Sequence, residues 1–458
     1  LDILKGLRER YEAHHNVEIT DGAVALAVLL SGCAMAGLDP QTLMRPPRST
    51  GDRESIHQVL EEKTNNRLNL QYPRRGDYRS AILMHDLSAD GSEEAVGLYQ
   101  ATDTETGIVF MEGKNGKWKE TGSVQNSASQ VDKVCFGDVD RDGRDDVVVG
   151  WGNALNHTSS ISIYSDKNGK ISELSYAQPY SEFEVSDFDG DGYDEIFTAV
   201  VSTPEQAAIA RLLRVTDNMV ETIGSAHLDT GVTKYVGVTA GKINEKQYGI
   251  VLDGAKSGGN YVTEILYWDQ KNKLLQAPFF DAGSLSANYT LRSTDVVSKD
   301  INHDSLIEIP IVNPLPGYTA PAPDETCYVT SWHRYDSESN TLVRAMSMVI
   351  DKDDGYWFLI PDMWRGKITD KLDRETRTLT FYEWLPGPGG KDGAVGQALL
   401  KIRAFSKKDW DGGTASAGFY KLEEQNAVVY AVSILQPDNA LSLRLNDIQN
   451  SFKLISSQ

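Results

Sequence analysis

Between residues 70 and 338 short apolar runs alternate with acidic turns. VVVG (147–150), IFTAVV (196–201), GIVFMEG (107–113), ISIYSD (161–166), ARLLRV (210–215) and TEILYWDQ (263–270) are rich in β-branched and aromatic residues. They are bounded by Gly, Asn and Asp, which predicts strands. In VVVG and IFTAVV the apolar residues are consecutive, not alternating, so these strands are expected to be covered on both faces. KNGK occurs at Lys114–Lys117 and Lys167–Lys170, each time after a strand, and Asn-Gly is a strong hairpin signal. The unit is therefore several antiparallel strands joined by tight turns. One helix is predicted ahead of them. TGDRESIHQVLEEKT (50–64) has Ser49 or Thr50 as a cap and Ile56, Val59 and Leu60 on one stripe.

The acidic turns share a skeleton, Asp-x-Asp-x-Asp-Gly-x-x-Asp/Glu, each followed by an apolar strand. They start at Asp86, Asp138, Asp187 and Asp300, with a degenerate copy at Lys242. Successive starts are 52, 49, 55 and 58 residues apart. A period near that length, with several strands per unit, predicts a β-propeller with four-stranded blades. About five blades are expected over 70–338, and Thr326 to Met348 could supply a closing strand or part of a sixth.

Charge sharpens the picture. The 458 residues carry a net charge of −21, which weighs against a nucleic-acid partner, since a phosphate backbone needs a basic face. Much of the excess sits in the turns, which suggests bound cations. Calcium takes six to eight oxygens at about 2.3–2.6 Å. Alternate side chains of such a loop can supply them if a glycine permits the sharp turn. Asp138, Asp140, Asp142 and Asp146 form the second candidate set, and Asp187, Asp189, Asp191 and Glu195 the third. Four carboxylates each make these the tightest expected sites. Asp86, Ser88, Asp90 and Glu94 form a weaker first set. Asp300, Asn302, Asp304 and Glu308 form another, with Ser305 in the glycine place, which strains the turn if φ is positive. The degenerate copy has Lys242, Asn244 and Lys246 where acids should be, so no metal is expected there. His85 and His303, beside or inside the loops, are expected to be surface residues because calcium prefers oxygen.

These loops, shorter than an EF-hand and flanked by strands, resemble the FG-GAP/VCBS calcium loops of integrin-type β-propellers. Phe136-Gly137 before Asp138 matches the Phe-Gly that names that family. The resemblance covers about residues 70–338 and implies a calcium-stabilised propeller.

The N-terminus supports two readings. GAVALAVLLSGC (22–33) resembles a bacterial lipobox, with Cys33 as the lipidated residue and 34–69 as linker and short helix. Residues 1–31 also resemble a helical segment of Clp-type disaggregase ATPases, through ILKGLRERYEAHHNVEITDGAV. No GxxxxGK[ST] phosphate loop accompanies it, so a fusion upstream of a lipoprotein is expected rather than an ATPase. The chain opens on Leu1, as expected of a fragment, a processed product or a misjoined frame. Neither a CxxC pair nor a zinc pattern is present, and no apolar run reaches the roughly 18–20 residues of a spanning helix.

Residues 340–458 are expected to form a separate α+β domain. In it Trp357, Trp364 and Trp384 are either core or a binding face. No GxSxG, HExxH or triad grouping stands out, so no catalytic residue is assigned. The functional expectation is an extracytoplasmic, lipid-anchored bacterial propeller that binds a protein or glycan partner. The rival is a polysaccharide lyase or hydrolase with acids or histidines converging in the propeller channel, away from the calcium loops.

Overall fold

The strands form where the apolar runs place them. The computed structural model describes residues 52–152, 159–166, 170–319, 327–387 and 393–455. The lipobox-like run with Cys33, the segment 1–31 and residues 34–51 lie outside these. Helix α1 (Asp52–Lys63) comes first, followed by six antiparallel sheets. The first holds β1 (Ile82–His85), β2 (Glu94–Thr102), β3 (Glu105–Lys114) and β4 (Lys117–Asn126). The second holds β5 (Gln130–Gly137), β6 (Asp146–Gly152), β7 (Ser159–Asp166) and β8 (Ile171–Tyr176). The third holds β9 (Glu182–Ser186), β10 (Glu195–Val200), β11 (Ile209–Thr216) and β12 (Met219–His227). The fourth holds β13 (Val232–Asn244), β14 (Gln247–Lys256), β15 (Asn260–Asp269) and β16 (Leu274–Gln276). Each of these is a meander in chain order.

The fifth sheet contains β17 (Ile309–Pro314), β18 (Tyr328–Asp336), β19 (Thr341–Asp351) and β20 (Tyr356–Leu359). The sixth contains β21 (Ile368–Asp373), β22 (Thr378–Leu385), β23 (Ala394–Ser406), β24 (Tyr420–Gln425) and β25 (Val428–Ile434), in the order β21-β22-β23-β25-β24. Short helices α2 (Lys407–Asp411) and α3 (Leu445–Ser451) interrupt the strands, and β26 (Phe452–Leu454) returns to pair with β20. The boundary placed at 338–340 thus falls in the turn between β18 and β19, two strands of one sheet. The C-terminal part is two β-sheets with two short α-helices and one 3-10 turn (Asp362–Trp364) among the described residues.

Successive sheets stack face to face, and the parity of side chains along the second strand of each sheet explains how. On β6, Val147, Val149 and Trp151 pack toward the first sheet, while Val148 packs toward the third. On β10, Ile196 faces the second sheet and Phe197 and Ala199 the fourth. On β14, Ile250 and Leu252 face the third and Val251 the fifth. A strand between two apolar neighbours needs apolar residues at every position. This is why VVVG and IFTAVV do not alternate. The fifth and sixth sheets share the largest core, around Phe358, Trp364, Phe381 and Ile402. The two ends of the stack are covered by other segments. Ile56 and Leu60 of α1 lie on Ala95, Val109 and Met111 of the first sheet. Trp410 of α2 and Phe419 lie on Phe405 and Val429 of the sixth. The architecture is mainly β and propeller-like.

The Lys114–Lys117 turn joins β3 to β4 with Asn115 at φ 53° and Gly116 at φ 73°, both positive as a tight Asn-Gly hairpin requires. Of the three tryptophans weighed as a binding face, Trp364 is fully buried and donates from Nε1 to Leu441 O at 2.6 Å. Trp357 and Trp384 are half-buried.

Candidate metal loops and an acidic cavity

The first three acidic loops connect the first strand of their sheet to the second, and the loop at 300–308 leads into β17; in each the carboxylates first serve the backbone. In the second loop the Asp138 carboxylate accepts from the N–H groups of Asp142 and Gly143, both at 3.0 Å. Asp146 Oδ2 accepts from Val139 at 3.1 Å and Asp140 at 3.0 Å. Asp142 Oδ1 accepts from Arg144 at 3.1 Å. The same bonds recur from Asp86 to Asp90 and Gly91, from Asp187 to Asp191 and Gly192, and from Asp300 to Asp304 and Ser305. The glycine place has φ of 86°, 84° and 92° in the first three loops and 70° at Ser305. That left-handed conformation strains a residue with a Cβ. The degenerate copy makes no such loop. Lys242 pairs with Tyr248 and Asn244 with Gln247 in a tight β13–β14 hairpin.

Carboxylate oxygens converge in three places among the described residues: Asp138, Asp140 and Asp146; Asp187, Asp189 and Glu195; Asp300, Asp304 and Glu308. Within each set they lie within 4.8 Å of one another. Two ligand oxygens on one calcium are at most about 5 Å apart, so each set has the spacing and the hard donor chemistry for that ion. The first loop is not among them: Ser88 donates through N–H and Oγ to Glu94, both at 3.1 Å.

What separates the three sets is the residue opposite the closing acid. Val147 pairs with Tyr164, Ile196 with Leu213 and Ile309 with His333. One step along, Asp146, Glu195 and Glu308 therefore face Ser165, Arg214 and Arg334. In the third loop Arg214 bonds Asp189 and Glu195, the latter at 2.8 Å, and lies 3.6 Å from Asp191, while Arg141 reaches across from the second loop to Asp191. In the last loop Arg334 bonds Asp304 and, at 3.0 Å, Glu308. In the second loop, among the described residues, no basic side chain forms an ion pair with Asp138, Asp142 or Asp146. Burial and the neighbouring Asp140 push the Asp146 carboxyl up to about 7. Burial also lifts the Asp191 carboxyl, but the Arg141 guanidinium outweighs it and holds that group below its usual range. Sequence reading missed the arginines. The signal was present in the strands that follow β6, β10 and β17, as Tyr164-Ser165-Asp166, Leu213-Arg214-Val215 and His333-Arg334-Tyr335.

The loops also dock on one another. Asp145 N–H donates to Leu87 O at 3.0 Å, Asp194 N–H to Asp138 O at 3.1 Å and Ile307 N–H to Lys242 O at 2.9 Å. Even the degenerate copy keeps this contact, with Tyr248 Oη accepting from Ser186 Oγ at 3.0 Å. Gly137 is required by it: a Cβ there would lie 2.5 Å from Asp194 Oδ2. His85 is not a bare surface residue. Its ring stacks on Phe136 at 4.2 Å and bonds Asp145 Oδ2 at 2.7 Å, because the second loop packs against the end of β1. His303 is exposed.

A cavity of about 490 Å³ lies between β5, β9, β13 and residues 75–77. Arg75 pairs with Glu182 and, at 2.8 Å, with Asp132; Lys133 pairs with Glu184. Asp77, Tyr235 and Thr239 also line it. Burial raises both glutamates above their usual range despite these cations.

Residues 1–33 match the AAA lid domain family, in line with the Clp-type resemblance, and the match runs through Cys33. No curated protein matches the chain. Among solved structures, a protein from Lactobacillus plantarum is similar at 10% identity, covering 68% of this chain and 82% of its own, with a TM-score of 0.31. Sqt1 from Chaetomium thermophilum is similar at 10% identity, covering 81% and 83%, with a TM-score of 0.30. Likenesses this weak leave the architecture to rest on the sheets themselves.

Proposed function

We propose that this chain is a calcium-stabilised β-propeller of the FG-GAP/VCBS kind, held outside a bacterial cell by a lipid on Cys33 and binding a protein or glycan partner. The observation that carries the calcium reading is the second loop. Asp138, Asp140 and Asp146 converge there, and the facing strand offers Ser165 where the other two sets meet an arginine. When bound, the ion would neutralise these carboxylates and pin the turn between β5 and β6. The third and last loops have a guanidinium for that task. Millimolar extracellular calcium suits a loop of this kind, since extracellular modules bind at about 10⁻⁴–10⁻³ M.

A thermal melt of the full chain with calcium and then with chelator tests the reading. A ligand bound only to the native state at a hundredfold excess over Kd adds about 2.7 kcal/mol. A chelator-sensitive shift that vanishes in Asp146→Asn supports the site. An unchanged melt removes calcium from the account. Fatty-acid labelling of the wild type and of Cys33→Ser tests the anchor separately.

The cavity lined by β5, β9 and β13 favours a second reading, a polysaccharide-active enzyme. Asp77, Glu182 and Glu184 converge away from the loops, as a channel site would require. Glu182 and Glu184 are both tied in ion pairs, which suits a structural ring better than an acid–base pair. Loss of polysaccharide cleavage in Glu184→Gln with an unchanged melt would favour the enzyme.

A further inference from the structure

On a chain of net charge −21, one recess has a lining that contains no carboxylate. It lies between the fifth sheet and the connection from β20 to β21 and has a volume of about 380 Å³. Its charged and titratable lining is Arg344, Arg365 and His333. Small residues open it. Ser331 on β18 and Ser347 on β19 stand side by side with their hydroxyls 2.8 Å apart. Its apolar lining includes Ile311, the cross-strand partner of Ser331, and Ile360 and Ile368 of the β20–β21 connection and β21.

We propose that this recess binds a small organic monocarboxylate with an apolar body. Arg344 donates to Ser347 Oγ at 3.3 Å and to Asp362 Oδ1 at 2.6 Å, and the Asp362 side chain is 84% exposed. The charge of Arg344 is thus already matched by an external carboxylate that an incoming one can replace. Arg365 is exposed, and its guanidinium has no ion-pair partner among the described residues. Burial and the two nearby arginines hold His333 below its usual range, so at neutral pH it adds no charge. One uncompensated guanidinium fits one negative charge, and its planar fork fits a carboxylate in bidentate fashion. The apolar lining selects for a hydrocarbon body.

Calorimetric titration of the full chain with benzoate and hexanoate tests this, with benzyl alcohol and hexanol as neutral controls and inorganic phosphate as a separate arm. At least one carboxylate should saturate while its alcohol does not. Arg365→Ala should weaken it by about tenfold, the scale of one lost charge-assisted contact. Asp362→Asn should tighten it, because the competing carboxylate is gone. Arg365→Gln gives the same readout should the alanine variant misfold. The proposal is overturned if neither carboxylate saturates by about 10 mM, or if Arg365→Ala binds as the wild type does. Phosphate binding more tightly than both carboxylates would overturn the single-charge assignment.

Discussion

At the scale of residues, the same acidic skeleton serves two kinds of counter-charge. Glu195 and Glu308 are fully buried at their carboxylates, and an arginine from the adjacent strand, β11 or β18, reaches each. Removing one partner of a buried pair leaves an uncompensated charge and costs more than the pair contributes. Arg214→Ser should therefore cost about 3 kcal/mol without calcium, the low end for a buried pair because this guanidinium is partly exposed. Added calcium should restore part of it. The reverse change is sharper. Ser165→Arg places a guanidinium opposite Asp146, so its melt should become indifferent to chelator; a melt that stays chelator-sensitive would break the link between this position and the ion. A buried acid away from the loops also makes stability depend on pH. Burial, with the charge of Asp229 nearby, pushes the Glu264 carboxyl up to about 8 from an ordinary 4.5, against the pull of Lys256 and of a bond from Asp229 N–H at 2.8 Å. Between those values the folded chain holds a proton that the unfolded chain has lost, so stability falls as pH rises through the window and levels above it. Glu264→Gln should gain on the wild type steadily from about pH 5 to about pH 8 in denaturant melts. A constant difference across that range would mean the proton is not held.

At the scale of elements, α1 was legible because its stripe is local: Ile56 and Leu60 are both fully buried. Leu60 presses so closely on β2 that a Cβ on Gly97 would lie 2.7 Å from its Cδ2. Leu60→Ala should cost about 2–5 kcal/mol in a denaturant melt, as core truncations do. A loss within a few tenths would mean that α1 is not a structural cover. The strands between the acidic loops were legible for the same reason, since turn chemistry and apolar runs are properties of neighbouring residues. What escaped reading depends on distant pairings. Nothing local in Phe452–Leu454 points to β20, with which it pairs. Residues 338–340 resemble a boundary because the acidic repeat stops there, yet they form the turn of a hairpin inside the fifth sheet. The arginines opposite the closing acids are visible only once β11 and β18 are set in register with β10 and β17.

At the scale of the whole molecule, the loops form a linked series, and that determines how far the loss of one ion travels. The second loop holds the first through Asp145 and His85, and the third through Asp138 and Asp194. The fifth and sixth sheets have their own core around Phe358, Trp364 and Phe381, and their counter-charge at the last loop is Arg334. Both ends of the stack are covered by other segments, so neither end sheet relies on the other to bury its outer face. Local openings in proteins follow cooperative units of this size. Chelation should therefore speed hydrogen exchange at the amides of Asp145 and Asp194 and in β5 and β6, and leave β22 and β23 protected. Exchange that rises equally in all six sheets would mean that the ion governs global stability. Exchange that does not change would mean that backbone bonds alone keep the second loop closed, with its carboxylates taking up protons in place of an ion.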